Sequence, residues 1–278
     1  MFIRPKVVSF TGATVLITGG ATGIGRLMAL GAADRGAKAV IIWNRNATRG
    51  QEVVDELKAA HPHIKAKHYS VDVSDAESVH SNAQAVLAEF DRVDILINNA
   101  GVVNGKPVLE LSEEEIRRTV EVNTLSLFRT VREFLPGMLQ RDYGSIVTIS
   151  SAAGLVGVAK QSDYNVSKFG AVGFTQSLRA ELRKQRSNVH TLLYCPYYIS
   201  TGMFDGVKTK FSCLLPILKP QDCADQVLDA IAKGTQMKVN PPIVRLVQIM
   251  HAFPVPIVDA ALEFFGIHKT MEDFTGRQ

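Results

Sequence analysis

Short apolar segments alternate with amphipathic segments along nearly the whole chain, and this alternation restricts the possible folds more than any other feature. The apolar segments are rich in β-branched residues and bounded by turn residues, which is typical of strands that are buried on both faces. They lie at residues 15–17, 40–42, 95–97, 146–149 and 189–194, with a weaker candidate at 66–71. Strand–helix alternation predicts an α/β fold: a doubly wound parallel sheet with helices on both faces and right-handed crossovers.

The starts of several helices can also be predicted. Residues 74–77 and 112–115 each resemble a capping box, in which a serine and a glutamate three positions later satisfy free amides. Pro220 is suited to the first position of another helix. No internal repeat or low-complexity linker interrupts the pattern, so residues 1–278 are predicted to form one domain.

Composition excludes several classes of function. The 278 residues carry a net charge of +4 with no basic run of the kind that binds nucleic acid. Three cysteines without a CxxC pair predict neither a disulfide framework nor a metal site, and suggest reduced thiols in the cytoplasm. About a dozen residues precede the first strand, which leads us to expect no signal peptide and no transmembrane anchor.

A glycine-rich loop directly follows the first predicted strand and precedes a helical pattern. Glycines at this place let the backbone approach a pyrophosphate at a helix N-terminus, where amides and the helix dipole favour anions. The strand–loop–helix context favours dinucleotide binding over a purely structural turn. The predicted contacts are Gly19, Thr22, Gly23, Ile24 and Gly25.

The second predicted strand ends at Asn44 and Arg45. An acidic residue here would favour NAD(H), whereas an arginine attracts the 2′-phosphate of NADP(H). NADP(H) is therefore favoured, with NAD(H) as the alternative if Arg45 only faces water. Further cofactor contacts are predicted at the ends of the next strands, where turn residues are the alternative interpretation: Asp72, Val73, Asn99, Ala100 and Gly101.

The candidate chemistry lies in Tyr164 and Lys168, with Ser151 upstream at the end of an apolar run. Residues i and i+4 share one helix face, so the Lys168 ammonium is expected to lie near the phenol and lower its pKa from about 10. Such a phenol could exchange a proton with an alcohol or a ketone. Ser151 would help to stabilise negative charge that develops on the substrate oxygen.

Together these motifs resemble the classical short-chain dehydrogenase/reductase family. The matching segments are TGGATGIG at 18–25, Asp72-Val73, NNAG at 98–101, Asn123, Ser151 and YNVSK at 164–168. The resemblance implies a Rossmann-type sheet of about seven strands. It also implies that Tyr164 is the general acid/base, that Ser151 polarises the substrate oxygen, that Lys168 binds the nicotinamide ribose, and that Asn123 anchors a water leading to Lys168. Ile199 and Thr201 would bind the carboxamide.

Two positions depart from the family pattern. Tyr197 follows Pro196 where the family commonly has glycine, and Thr22 stands where many NADP-dependent members carry a basic residue. Segments 201–204, 214–220 and 271–277 resemble the subgroup that contains epidermal retinol dehydrogenases and lipid-droplet 17β-hydroxysteroid dehydrogenases. That resemblance implies a small hydrophobic alcohol or ketone as substrate, and pairing into a homodimer or homotetramer through the long helices that begin near Ser112 and Ser162.

Two C-terminal regions remain open to more than one interpretation. Residues 200–220 are predicted to be a substrate lid, with an ordinary surface segment as the alternative. Residues 240–278 form an apolar or amphipathic tail in which Arg245, Gln248 and His251 recur every third residue. The tail is expected to pack on its own or a partner subunit, with peripheral membrane contact as the alternative. His251 is predicted to be structural.

The leading functional hypothesis is therefore an NAD(P)(H)-dependent oxidoreductase that acts on a hydrophobic alcohol/carbonyl pair. A 3-oxoacyl-type reductase of lipid metabolism shares the same catalytic residues and stays open. A nucleotide-binding regulatory or scaffold protein is a third possibility, although it would need none of Ser151, Tyr164 and Lys168.

Overall fold

The computed structural model describes residues 7–276. Arg4 and Lys6 at the start of the chain, and Arg277 of the C-terminal motif, lie outside this range. Seven strands form one parallel sheet in the order β3-β2-β1-β4-β5-β6-β7. They are β1 Thr14–Thr18, β2 Ala39–Asn44, β3 Lys65–Ser70, β4 Ile95–Asn98, β5 Ser145–Ile149, β6 His190–Pro196 and β7 Met237–Asn240.

Within residues 7–276, nine α-helices surround this sheet. They are α1 Gly23–Asp34, α2 Ala47–Ala60, α3 Ala76–Phe90, α4 Glu113–Val120, α5 Ser126–Gln140, α6 Ser162–Lys184, α7 Pro220–Ala232, α8 Leu246–Met250 and α9 Val255–Phe264. A π-helical turn, Glu121–Leu125, joins α4 to α5. The prediction of an α/β, Rossmann-type, doubly wound sheet is confirmed.

Two hydrophobic cores lie on opposite faces of the sheet. Helices α1, α2 and α7 bury apolar side chains on one face, and α3, α5 and α6 do so on the other. The central strands β1, β4 and β5 are buried at every residue, as expected of a sheet covered on both faces. The residues after 200 extend the first core, so the lid and tail regions belong to the same folded body.

The helix starts differ from the sequence prediction at one place. Ser112 and Glu115 form the predicted capping box of α4, and Pro220 is the first residue of α7. In α3, however, the N-cap is Asp75, whose side chain accepts from the amide of Glu77, so the prediction of Ser74 as the cap is wrong. The Ser74 hydroxyl is instead bonded to Asp72.

The strand order reverses between β1 and β4, because β2 and β3 lie on one side of β1 while β4 to β7 lie on the other. In open parallel sheets, ligands bind at the carboxyl ends of the strands next to such a reversal. The loops after β1 and β4 are the two segments that carry the glycine-rich and NNAG motifs. The fold therefore brings the predicted cofactor residues to this edge.

Candidate active site

The glycine-rich loop after β1 forms an anion-binding turn at the start of α1. Gly19 and Gly23 have φ of 63° and 54°, in the left-handed region where only glycine is unstrained. The side chain of Thr22, the N-cap of α1, makes no capping hydrogen bond. The first amides of α1 are thus left without a side-chain cap, as a helix N-terminus that binds phosphate requires.

A second loop is bonded directly to this turn. The Asn99 side-chain amide donates to the carbonyl oxygens of Thr18 and Gly19, at 3.0 and 3.1 Å. The Thr18 hydroxyl accepts from the backbone amides of Asn99 and Ala100. A Cβ on Gly25 would stand 2.2 Å from the Gly19 carbonyl oxygen. Gly25 therefore does not line the cleft, but permits the close packing that shapes the loop.

The two loops border a deep cleft of about 1500 Å³, open solvent included. Sixteen of the predicted site residues line it, namely Gly19, Thr22, Gly23, Ile24, Asn44, Arg45, Asp72, Val73, Asn99, Ala100, Gly101, Ser151, Tyr164, Lys168, Ile199 and Thr201. Sequence reasoning missed other lining residues, notably Arg49 and Arg118. Arg49 lies four positions after Arg45 at the start of α2, a spacing that could have revealed it.

The end of the cleft beside β2 is basic. Arg45 contacts Asp72 through Nη1 and Oδ2 at 3.3 Å, and both side chains are partly exposed. Burial opposes ionisation of Asp72, but hydrogen bonds from Ser74 and the charge of Arg45 outweigh it and lower the pKa of Asp72. The carboxylate accepts from the amide and hydroxyl of Ser74 and from Arg45.

At the other end, Tyr164 and Lys168 lie on the same face of α6. The Lys168 Nζ is 5.5 Å from the centre of the Tyr164 ring and donates to the Ile149 carbonyl oxygen at 3.0 Å. Both side chains are 4% exposed. Burial lowers the pKa of Lys168 to about 8.

The pKa of Tyr164 differs from the sequence prediction. Burial raises it, and the hydrogen bond with Ser151 opposes the rise only in part. The hydrogen bond that the structure gives the Lys168 ammonium goes to the Ile149 carbonyl oxygen. The pKa of Tyr164 is thus raised, contrary to the prediction of an acidified phenol.

Asn123 lies in the π-helical turn and not on the cleft wall. Its side chain accepts from the Val102 amide at 2.8 Å and donates to the Val102 carbonyl and the Ser167 hydroxyl, both at 2.9 Å. It therefore holds the loop after β4 against α6, the helix that carries Tyr164. Its part in a water relay to Lys168 stays a prediction.

A second cavity of about 890 Å³, open solvent included, adjoins the cleft, and its wall is almost entirely apolar. Ser151, Tyr197 and Phe204 line both spaces, so the cavity meets the cleft at Ser151, one of the predicted catalytic residues. Tyr197, the bulky residue in place of the family's glycine, lies in this shared wall. Phe204 packs edge-on against Tyr164, with ring centres 5.7 Å apart.

The lid and the tail enclose this cavity together. Leu214 and Leu215 line it from the predicted lid, while residues of α8 and α9 line it from the tail. Backbone hydrogen bonds join the two regions, from Thr275 to the Asp205 carbonyl and from Lys208 to the Thr270 carbonyl. The tail thus packs on the lid of its own chain.

The polar residues that recur in the tail lie in α8 and at its two ends. Helix α8 covers only Leu246–Met250, so Arg245 and His251 lie at its two ends. The Nε2 of His251 is 2.7 Å from the Leu155 carbonyl oxygen, in agreement with a structural role. In the part of the chain that the structure describes, no three His, Cys, Asp or Glu side chains gather into a possible metal site.

Comparison with known proteins shows which family of proteins the chain belongs to. A family model described as "short chain dehydrogenase" matches residues 13–211, and the chain belongs to this family. The chain is 37% identical to bovine "Short-chain dehydrogenase/reductase family 16C member 6", over 99% of its own length and 87% of that protein. It is 36% identical to human "Retinol dehydrogenase 10", over 99% of its length and 89% of that protein.

Solved structures with nicotinamide cofactors have the same fold. A short-chain dehydrogenase/reductase from Burkholderia phymatum in complex with NAD has a TM-score of 0.78 and 27% identity, over 92% of this chain and 96% of that one. A metagenomic short-chain oxidoreductase in complex with NADP has a TM-score of 0.71 and 28% identity, over 84% and 98%. The chain is an NAD(P)-dependent oxidoreductase that acts on CH–OH donors.

The residues present fit such a cofactor. The left-handed glycines and uncapped amides of α1 would hold the pyrophosphate, and Asn44, Arg45 and Arg49 would border the adenosine ribose. Lys168 would reach the second ribose, on the side of the cleft that adjoins the apolar cavity. When bound, the cofactor supplies or accepts the hydride.

Proposed function

We propose that this enzyme interconverts a lipophilic, retinoid-like alcohol and its carbonyl compound, with NADP(H) as the preferred cofactor. The observation that carries the proposal is the apolar cavity that meets the cofactor cleft at Ser151. A cavity with an almost entirely apolar wall suits a hydrocarbon with one polar end. The similarity to human "Retinol dehydrogenase 10" supports the retinoid-like class.

In the proposed mechanism, Tyr164 exchanges the proton of the substrate oxygen. Reduction of the carbonyl adds a hydride to carbon and requires a proton on oxygen. The phenol, whose pKa is raised by burial, keeps its proton until negative charge develops on the substrate oxygen. The Ser151 hydroxyl would donate to the same oxygen. Lys168 would return a proton to the phenolate, and its pKa of about 8 suits that transfer near neutral pH.

A screen of NADPH oxidation with three classes of carbonyl tests the proposal. We expect turnover of retinal or a ketosteroid and little turnover of short 3-oxoacyl thioesters. Turnover of the thioesters alone would favour a 3-oxoacyl reductase. Tight NADPH binding without turnover of any carbonyl would favour a nucleotide-binding scaffold. Either result would overturn the proposed substrate class.

The preference for NADP(H) is supported by Arg45 and by the lack of an acidic residue at the end of β2. We expect Arg45→Ala to raise the KM for NADPH at least tenfold and to change the KM for NADH little. A charged hydrogen bond contributes about 1.5–3 kcal/mol, and the substitution would also free the Asp72 carboxylate to repel the 2′-phosphate. Steady-state kinetics with both cofactors measures this. Arg132→Ala, on the exposed side of α5, is the control, and equal effects on the two cofactors would contradict the preference.

The oligomeric state and the location are further parts of the proposal. Helices α5 and α6 and the turn before α5 expose Leu125, Phe128, Val166 and Phe169, an apolar face suited to pairing two copies. We propose a homodimer or homotetramer through this face, which the mass in solution tests. Cys195, Cys213 and Cys223 are free thiols, which supports a cytoplasmic location. No helix among the described residues is long and apolar enough to cross a bilayer.

A further inference from the structure

The mouth of the apolar cavity opens among exposed apolar side chains. Leu214 of the lid and Leu246 of α8 both line the cavity and are 42% and 52% exposed. The cavity therefore reaches the surface between the lid and α8. This opening is separate from the cofactor cleft, whose wall contains neither residue.

The lid and the tail carry eight of the fifteen large exposed hydrophobic side chains that the structure describes, more than half of them. We call these eight the apolar rim: Leu214, Ile217, Leu246, Ile249, Phe253, Val255, Ile257 and Phe264. A soluble monomer rarely exposes so many without a partner.

The centre of the apolar rim runs from the end of α8 into the first turn of α9. Residues 251–257 are all exposed and carry no aspartate, glutamate, lysine or arginine. Within it Phe253, Val255 and Ile257 are between 54% and 69% exposed. Pro254 and Pro256 stiffen the segment, so that these side chains cannot readily fold back onto the core.

Helix α9 has three distinct faces. Val258, Leu262 and Phe265 pack against the core. Helical geometry places Ile257 and Phe264, both exposed, on a second face, and Asp259 and Glu263 on a third. An exposed apolar face beside a charged face is typical of a helix that lies in a lipid–water interface.

The charges around the apolar rim favour a phospholipid surface as its partner. Lys210, Lys219 and Arg245 each lie within two residues of the rim or contact it, and Lys210 stands 5.3 Å from the centre of the Phe264 ring. Long basic side chains beside apolar ones can reach lipid phosphates while their stems stay in apolar surroundings. Asp259 and Glu263 lie on the third face of α9, away from Ile257 and Phe264.

We infer that the apolar rim docks on a phospholipid bilayer, so that the substrate passes from the lipid into the cavity without crossing water. The inference rests on the proposed function, because only a lipophilic substrate would use such a route. In this orientation the mouth of the cavity faces the lipid, in which a retinoid-like alcohol is concentrated. The cofactor then enters its cleft from the aqueous side.

Vesicle sedimentation of the full chain tests the docking. The probes are vesicles of phosphatidylcholine with and without phosphatidylglycerol. We expect the wild-type chain to bind, more strongly with the anionic lipid, and the triple variant Phe253→Ser, Val255→Ser, Ile257→Ser to lose at least tenfold in partition coefficient. None of these residues lines the cavity. Val255→Ser alone should weaken binding, whereas Val7→Ser, which removes the same group beside Gly234 near the amino end of β7 and outside the apolar rim, should not.

Several outcomes would overturn the inference. The inference fails if the wild-type chain does not bind vesicles, or if the triple variant binds them as well as the wild type does. It also fails if the triple variant has a lower mass in solution than the wild type, because the apolar rim would then be the contact between two copies of the chain. Turnover of a water-soluble ketone gives an independent reading. If the triple variant keeps that turnover and loses only the turnover of carbonyl delivered in vesicles, both proposals stand. If no carbonyl is reduced at all, the proposed function fails while the binding data still decide the docking.

Discussion

Replacing Tyr164 with phenylalanine is expected to lower turnover about a thousandfold, the typical contribution of a positioned general acid or base. The substitution removes only the hydroxyl. The ring would keep its edge-on contact with Phe204, so folding and cofactor binding should change little. Steady-state kinetics, fluorescence titration with NADPH and thermal unfolding measure the three properties separately.

The matched control is Tyr143→Phe. The Tyr143 hydroxyl accepts from the Ser9 amide at 3.2 Å and lies outside both cavities. The same chemical change there should leave turnover unchanged. Turnover by Tyr164→Phe near the wild-type rate would remove Tyr164 from the mechanism.

Replacing Lys168 with methionine is expected to abolish most turnover and yet to stabilise the fold. Burial lowers the pKa of Lys168 from 10.5 to about 8, which corresponds to a cost of about 3 kcal/mol for holding the charged form. Losing the bond to the Ile149 carbonyl returns about 2 kcal/mol of that, because hydrogen bonds to charged groups contribute about 1.5–3 kcal/mol. We therefore expect the free energy of unfolding at pH 7 to rise by roughly 1 kcal/mol.

The gain should depend on pH in a defined direction. The folded-state pKa of Lys168 lies below its unfolded value, so the unfolded state binds more protons between about pH 8 and 10.5. The wild-type chain consequently becomes more stable as pH rises through this window, and the advantage of Lys168→Met shrinks. Denaturant unfolding at pH 7 and pH 9.5 measures the difference. Lys184→Met, an exposed position at the end of the same helix, is the control; destabilisation by Lys168→Met at pH 7 would contradict the argument.

Burial explains which strands could be predicted. Strands β1, β2, β4, β5 and β6 are apolar along their length because helices cover both faces, and each was predicted. Strand β7, Met237–Asn240, was missed because it is only four residues long, contains Lys238 and lies at the edge of the sheet. Strand β3 lies at the opposite edge and buries only Ala66 and Tyr69 of its six residues, which explains its weak signal.

The candidate site also contains residues that the sequence could predict and others that it could not. Residues within one motif, such as Tyr164 and Lys168, were predicted together because helical spacing alone sets their proximity. The Ile149 carbonyl that engages Lys168 carries no sequence signal, because every residue has a carbonyl. Arg118 reaches the cleft from α4, far along the chain from the other basic residues, and only the tertiary fold reveals it.

The joining of the lid to the C-terminal segment has a consequence for how such enzymes diversify. The residues proposed for proton transfer all lie before residue 200, whereas the apolar cavity proposed for the substrate is lined largely by residues after it. Exchange of the residues after 200 between related enzymes should therefore change the substrate without changing the residues that transfer the proton. Backbone hydrogen bonds join the lid to the tail, so the two segments should be exchanged together. A chimera that receives only one of them should no longer enclose the apolar cavity.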